Sequence, residues 1–465
     1  MAVLSLDSLN SILVRLRYAL ALAMVAWLAC GRSAGQDDSE SPPTAESVLA
    51  QLQSPDTSEV LRGLRHAREF AAHDAILART MLHLIDDERM ISDGPFVQRI
   101  VWFEAAIAFD PHSETGLEVL KQYLENDPPP NIAERLIYYL LNDAPPDAEL
   151  YDFVKPHFHS LDEHLRCAAI QASGNLAVDP AVWLRDMKDP LGDSDVHVRG
   201  AVIAALMEQP EQAASLLDRL IEMLYEPGDV YVAISLHAAN TCPLRCRVAK
   251  LLCSMGMAAG PALDDLRVVW AMDEDMDTRV WSAVAIARIT EPPEPYTIEF
   301  LGQRLRREDS WASFELVKAM RQLSPDTPGL IACVGRAIRS APYRVRTRLA
   351  GLIFELGLES QPGWCKSLLE DRHPEVVADS LETMLENRYH FGGLAPQLAS
   401  IAAREWPEEF DAYYGYRATE SALLAIDSMG AQASLAKSIL RRWAEEHSDE
   451  QSDTAARIRE WLQRE

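Results

Sequence analysis

The chain is short of aromatic residues, of positive charge and of long apolar runs, and each shortage excludes something. Aromatics make up only 7% of 465 residues while hydrophobic residues make up 48%, so the interior has to be aliphatic and rich in alanine. Basic side chains number 44 against 71 acidic ones, a formal net charge of −27. A surface of that sign repels phosphate backbones, so no nucleic acid is expected as a partner. The charge instead keeps an extended protein soluble and favours a basic partner. The sequence also lacks a Gly-rich phosphate loop, a Gly-x-Ser-x-Gly turn and a His-Glu-x-x-His pair. Those are the usual carriers of phosphoryl transfer, serine hydrolysis and zinc proteolysis. No catalytic residue and no cofactor is assigned, and catalysis of its own is not expected.

What is present begins at the N-terminus. Arg15 and Arg17 precede an apolar run, Tyr18 to Cys30, that is followed at once by polar residues. The run is shorter than the ~20 residues that cross a bilayer, and a basic flank with a short apolar core describes an export signal. Its end, Leu28-Ala29-Cys30-Gly31, resembles the bacterial lipoprotein box. That resemblance implies lipidation at Cys30, which would become the first residue of the mature chain and the only membrane attachment. Ordinary cleavage near Ala29 to Ala34 and an uncleaved anchor are the alternatives. Residues 1–29 are therefore expected to be a signal and 30–45 a disordered tether rich in Ser, Asp and Pro. The expected location is extracytoplasmic, in the cell envelope or periplasm.

From residue 46 onward the chain reads as short amphipathic helices separated by Pro, Gly, Asp and Asn turns, with no alternating strand pattern. Residues 46–159 give degenerate helical hairpins, 160–445 a recognisable repeat and 446–465 a helical tail. The clearest copy is Arg247 to Trp270, a helix ending at Met255, a turn at Gly256, and a second helix entered through Gly260-Pro261. Elsewhere an acidic residue precedes an arginine by four: Asp162 and Arg166, Asp195 and Arg199, Asp275 and Arg279. Arg247 and Arg346 keep the arginine alone. These arginines are 33, 48, 32 and 67 residues apart, a spacing that predicts two helices per unit and an all-α solenoid of stacked antiparallel helical hairpins. The acid should cap a helix N-terminus and pair with its arginine on the same face. Small residues such as Ala168, Ala169 and Ala172 should let axes approach to ~8 Å, and Gly174, Gly256, Gly357 and Gly430 should end or interrupt helices.

Arg-x-x-Ala, Leu-Gly and Gly-Pro-Ala-Leu elements, best matched over Arg247 to Leu266, resemble the HEAT-repeat family. The nearest variant is the one named after phycobilisome-lyase-like proteins. The resemblance implies a curved stack of helical pairs whose inner surface binds proteins. The family also includes enzymes, so an enzyme or accessory subunit of the phycobilin-lyase-like class, holding a metal or tetrapyrrole, is the alternative to a scaffold. The His-Glu dipeptides of HEAT-type di-iron hydroxylases are missing, and the acidic balance argues against the basic groove of HEAT-like DNA glycosylases.

Three clusters carry candidate chemistry. His157, His159 and His164 are weak metal candidates at a loop–helix junction, where Ser160 and Glu163 read more simply as a capping box. His237, Cys242, Cys246 and Cys253 match no metal spacing and read as core thiols, with a Cys242–Cys246 disulfide and metal binding as lesser alternatives. Arg388, Tyr389 and Phe391, together with Tyr413, Tyr414, Tyr416 and Arg417, are residue types that form binding hot spots. They are the candidate surface for an unidentified protein partner, with packing of Trp406 and Phe410 between repeats as the other reading.

Overall fold

The computed structural model describes residues 43–86 and 101–464, apart from short stretches at 103, 106–107, 110–112, 127–129, 140, 142–145, 177–178, 236–237, 308–311, 362, 408–409, 411 and 449–451. The signal, Cys30 and nearly all of the tether lie outside the described residues, and so does His237. In chain order the helices are α1 (Ala45–Leu52), α2 (Thr57–Ala71), α3 (Ala75–Asp86), α4 (Glu114–Leu124), α5 (Pro130–Tyr139), α6 (Ala148–Val154), α7 (Glu163–Leu176), α8 (Pro180–Asp186), α9 (Val196–Met207) and α10 (Leu217–Met223). Two strands follow, β1 (Asp229–Ser235) and β2 (Ala238–Pro243). Then come α11 (Leu244–Met255), α12 (Leu263–Met272), α13 (Met276–Ile289), α14 (Pro295–Arg307), α15 (Ala312–Met320), α16 (Leu330–Ser340) and α17 (Tyr343–Glu355). The last are α18 (Trp364–Leu369), α19 (Pro374–Glu386), α20 (Ala395–Ala402), α21 (Ala412–Ser428), α22 (Ser434–Glu446) and α23 (Asp453–Gln463). The chain is an all-α solenoid, interrupted among the described residues by one β-hairpin.

The helices fall into two compact units. One takes Met1–Ala213 and Pro227–Leu244, the other Ala214–Glu226 and Arg245–Glu465. In the second unit, α13, α15, α17, α19 and α21 form a row in which each packs on the next, while α14 packs on α16 and α20 on α22 in a parallel row. The first row is flanked on both sides. On α13 every residue from Val280 to Ala287 is buried, so its apolar surface runs all round instead of forming one stripe. In the first unit α5, α7 and α9 succeed one another in the same way.

The acidic residues cap as expected. Asp162 Oδ1 accepts from the backbone N–H of His164 and Leu165, Asp195 from those of His197 and Val198, and Asp275 from that of Thr278. Asp162, not Ser160, is thus the cap of α7, and the expected Ser160–Glu163 box is not formed. Instead the Ser160 hydroxyl accepts from the N–H of Asp162.

The expected pairing of each acid with the arginine four residues on is replaced by a different arrangement. The arginine turns back instead, onto a carbonyl just before its own helix or, for Arg279, in the helix before it. Arg166 donates to Ser160 O at 2.8 Å, Arg199 to Asp193 O at 2.7 Å, Arg279 to Trp270 O at 2.8 Å, and Arg346 to Ala341 O. Two of these arginines then reach the following repeat, Arg166 Nε meeting Asp193 at 3.0 Å and Arg346 Nε meeting Asp371 at 2.6 Å. At the third such link Arg245, not Arg247, meets Asp273 at 2.6 Å. The receiving aspartate lies two residues ahead of the next helix's cap. It also accepts the cap residue's N–H, as Asp193 does from Asp195, Asp273 from Asp275 and Asp371 from His373.

Two further expectations are corrected. The β-hairpin pairs Asp229 with Pro243 and Val230 with Cys242, and Val230 rests on Gly200 of α9 so closely that a Cβ there would lie 2.7 Å from a Val230 methyl. Gly174 stays inside α7, where its carbonyl accepts from Gln209 Nε2 at 2.9 Å. Gly256, Gly357 and Gly430 do mark helix ends in the left-handed region, at φ of 57°, 65° and 54°.

Candidate functional site

The aromatic candidates divide between core and surface. Phe391 is 2% exposed and belongs to the core around α19, α20 and α21. Tyr389 packs edge-on against both Phe354 and Phe391, at ring distances of 5.7 and 5.5 Å. Phe391 is thus buried, and Tyr389 is half-buried beside it. Arg388, at φ 53°, stands exposed in the turn after α19.

The chain becomes helical at Ala412, so the tyrosines lie on the opening turns of α21. Tyr413 and Tyr416 are 60% and 44% exposed, and Arg457 lies over the Tyr416 ring at 3.4 Å. Arg417 is committed inward. Its Nε donates to Glu382 at 3.0 Å and a terminal nitrogen reaches Asp379 at 3.0 Å, while the Tyr413 and Tyr414 rings flank it. Burial pushes the Asp379 carboxyl up to about 6, and the opposing pull of Arg417 does not overcome it. Trp406 covers Gly415, whose missing side chain makes room for the indole.

The histidine candidates do not converge. His157 packs edge-on against Phe153 at 5.2 Å, whereas His159 and His164 are exposed. Among the described residues no three His, Cys, Asp or Glu side chains are placed to hold a metal ion. Cys246, Cys253, Cys333 and Cys365 are buried, Cys167 and Cys242 half-buried, and all six are free thiols. Burial pushes Cys253 and Cys333 up to about 11 and Cys167 up to about 12. A thiol so shifted is protonated near neutrality and a poor nucleophile or metal ligand.

A concavity lies elsewhere, at the turns joining α16 to α17 and α18 to α19. It is an open groove of about 870 Å³. Its floor is the Arg346–Asp371 pair beside Tyr343 and His373, whose rings stack at 4.5 Å and 10°. Its rim carries Arg306, Arg339 and Arg372, with Glu370 the acidic group facing them and Ser340 and Ser367 between. Arg372 donates to His373 Nε2 at 3.3 Å. Among the described residues no carboxylate lies within ion-pair distance of Arg306, Arg339 or Arg372. The sequence held a signal for this site. Between Arg304 and Arg348 the chain carries ten basic and four acidic side chains, the reverse of its overall balance. The total of −27 conceals that local reversal.

Neither a family model nor a curated protein matches the chain. Among solved structures it is similar to a chain in the structure of Kap95p with RanGDP, at 12% identity and a TM-score of 0.43, covering 90% of this chain and 66% of that one. It is also similar to one in the structure of Kap121p bound to Ste12p, at 14% identity and a TM-score of 0.37, covering 90% and 45%. An engineered protein is similar at 15% identity and a TM-score of 0.32, covering 83% and 98%. The chain thus spans about two thirds of the first of these natural proteins and under half of the second. At such identity and overlap these likenesses add nothing to what the helices themselves show.

Proposed function

We propose that this chain is a non-catalytic helical scaffold that binds a partner protein, exported and anchored by a lipid on Cys30. The observation that carries the binding reading is the groove at Arg306, Arg339 and Arg372. Guanidinium groups with no carboxylate of the described residues at ion-pair distance, set beside an aromatic shelf, are the ingredients of a recognition surface. The core, by contrast, is aliphatic, and burial pushes its Cys253 and Cys333 thiols up to about 11, which keeps them protonated and weakly nucleophilic. The Arg247 to Leu266 pattern supports a place among phycobilisome-lyase-like HEAT repeats.

A photo-crosslinking residue at Ser340, inside the groove of the full-length chain expressed in its host, tests the scaffold. One protein should be captured there repeatedly and in stoichiometric yield. Capture of no defined protein from that position or from Tyr416 would reject it. The anchor is tested separately by fatty-acid labelling, which should disappear in Cys30→Ser. Labelling that persists would reject lipidation at that residue.

A further inference from the structure

We infer that the groove receives an acidic peptide segment of the partner, read by Arg306, Arg339 and Arg372. This inference rests on the scaffold reading and adds the chemistry of the occupant. The three arginines come from different elements: Arg306 from α14, Arg339 from the end of α16, and Arg372 from the turn before α19. Such convergence is costly to maintain, because like charges gathered in one concavity repel one another. The carboxylate that could relieve them, Asp371, is consumed by Arg346 through two nitrogens and by the His373 N–H. Glu370 leaves the rim with an excess of positive charge.

Guanidinium is the side chain that matches a carboxylate in a planar, two-pronged fashion, and several such forks at one groove select a segment bearing several carboxylates. Phosphates meet the same donors, but the surroundings discriminate. A nucleic acid extends its charge well beyond the groove and meets the field of a −27 protein, whereas a short acidic peptide presents its charge only where the arginines are. The Tyr343–His373 stack supplies a flat apolar shelf on which peptide backbone and aliphatic stems can lie. The walls are held in register from within. Arg346 ties the start of α17 to the loop before α19, so the groove is formed before its occupant arrives and little ordering cost falls on binding.

The test uses the full chain and a fluorescent Asp/Glu-rich peptide, with the same peptide in its Asn/Gln form as control. The acidic peptide should bind, weaken as salt rises, and bind roughly tenfold or more less tightly to the Arg339→Glu/Arg372→Glu protein, with Arg306→Gln also weakened. Arg442→Glu, a charge reversal at an exposed arginine of α22 outside the groove, should bind as wild type does. Unchanged thermal unfolding of the groove variants separates lost recognition from lost folding. Equal binding of the Asn/Gln peptide, or wild-type binding by the double variant, overturns the inference. So does displacement by inorganic phosphate or an RNA oligonucleotide at lower concentrations than the acidic peptide needs. If the Ser340-crosslinked partner is still captured by the double variant, the acidic-segment inference fails while the scaffold stands. If the peptide binds as expected but no protein is captured, the scaffold reading fails instead.

Discussion

Arg346 and Asp371 face each other across a repeat boundary with two nitrogen–oxygen contacts of 2.6 and 2.9 Å, their side chains only 14% and 8% exposed. The aspartate in addition holds the N–H of His373, the residue that opens α19. Removing either partner leaves the other as an uncompensated, largely buried charge. Asp371→Ala should therefore cost about 3–5 kcal/mol of stability. Arg346→Met combined with Asp371→Ala should cost clearly less than the two single changes summed, which a double-mutant cycle by urea denaturation measures.

The contact between Gly200 and Val230 allows a second prediction. A methyl added at Gly200 would lie 2.7 and 2.9 Å from the two Val230 methyl groups. The alanine variant gains helix propensity but overpacks the site, and the net effect should be a loss of about 1–3 kcal/mol. Val230→Ala in that background should restore most of it. Chemical denaturation of the single and double variants decides the matter, and full stability of Gly200→Ala would show that the hairpin yields freely.

Acid–base behaviour follows from Asp379. Its folded value, about 6, lies above its ordinary value of 3.8, chiefly because burial disfavours the charged form. The folded state then holds this proton more tightly than the unfolded one. Between about pH 4 and pH 6 its contribution to stability falls as pH rises, with the full penalty present above pH 6. In Asp379→Asn that slope should vanish, so the difference between variant and wild-type melting temperatures should change across this window and level off above it. A difference independent of pH would contradict the shift.

Thiol chemistry gives a fourth prediction. Burial places Cys253, Cys333 and Cys167 at about 11 to 12, so near pH 8 they are almost wholly protonated as well as shielded. Iodoacetamide should modify the folded chain at these positions many times more slowly than the chain unfolded in guanidinium, as read by mass spectrometry. Rapid native labelling of Cys253 would mean that α11 opens locally.

The sequence disclosed the fold well because helical periodicity and turn residues are local. The helix ending at Met255, its Gly256 turn and the capping aspartates could be read from a few neighbouring residues. What depends on distant partners could not. Spacing pairs Arg166 with Asp162 four residues back, yet its ion-pair partner is Asp193, 27 residues further on, and Arg346 likewise meets Asp371 across 25 residues. The hairpin escaped because its strand residues form a short, unalternating run. The surface candidates illustrate the same limit. Tyr413 and Phe391 belong to the same residue class, and only tertiary packing sends one outward and the other into the core. The arginine groove was visible as a local excess of basic residues, but gathering Arg306, Arg339 and Arg372 at one place is the work of three separate elements.

The path of the backbone between residues 213 and 245 carries a consequence for dissecting this protein. The chain leaves the first unit at Ala213, gives α10 to the second, returns for the hairpin and departs again after Leu244. No single cut of the backbone can therefore release both units whole. A fragment ending at 213 forfeits the strand that covers Gly200, and one beginning at 245 forfeits a helix of its own. Limited proteolysis and truncation, the customary ways of isolating a binding module, should yield pieces less stable than either unit is within the intact chain.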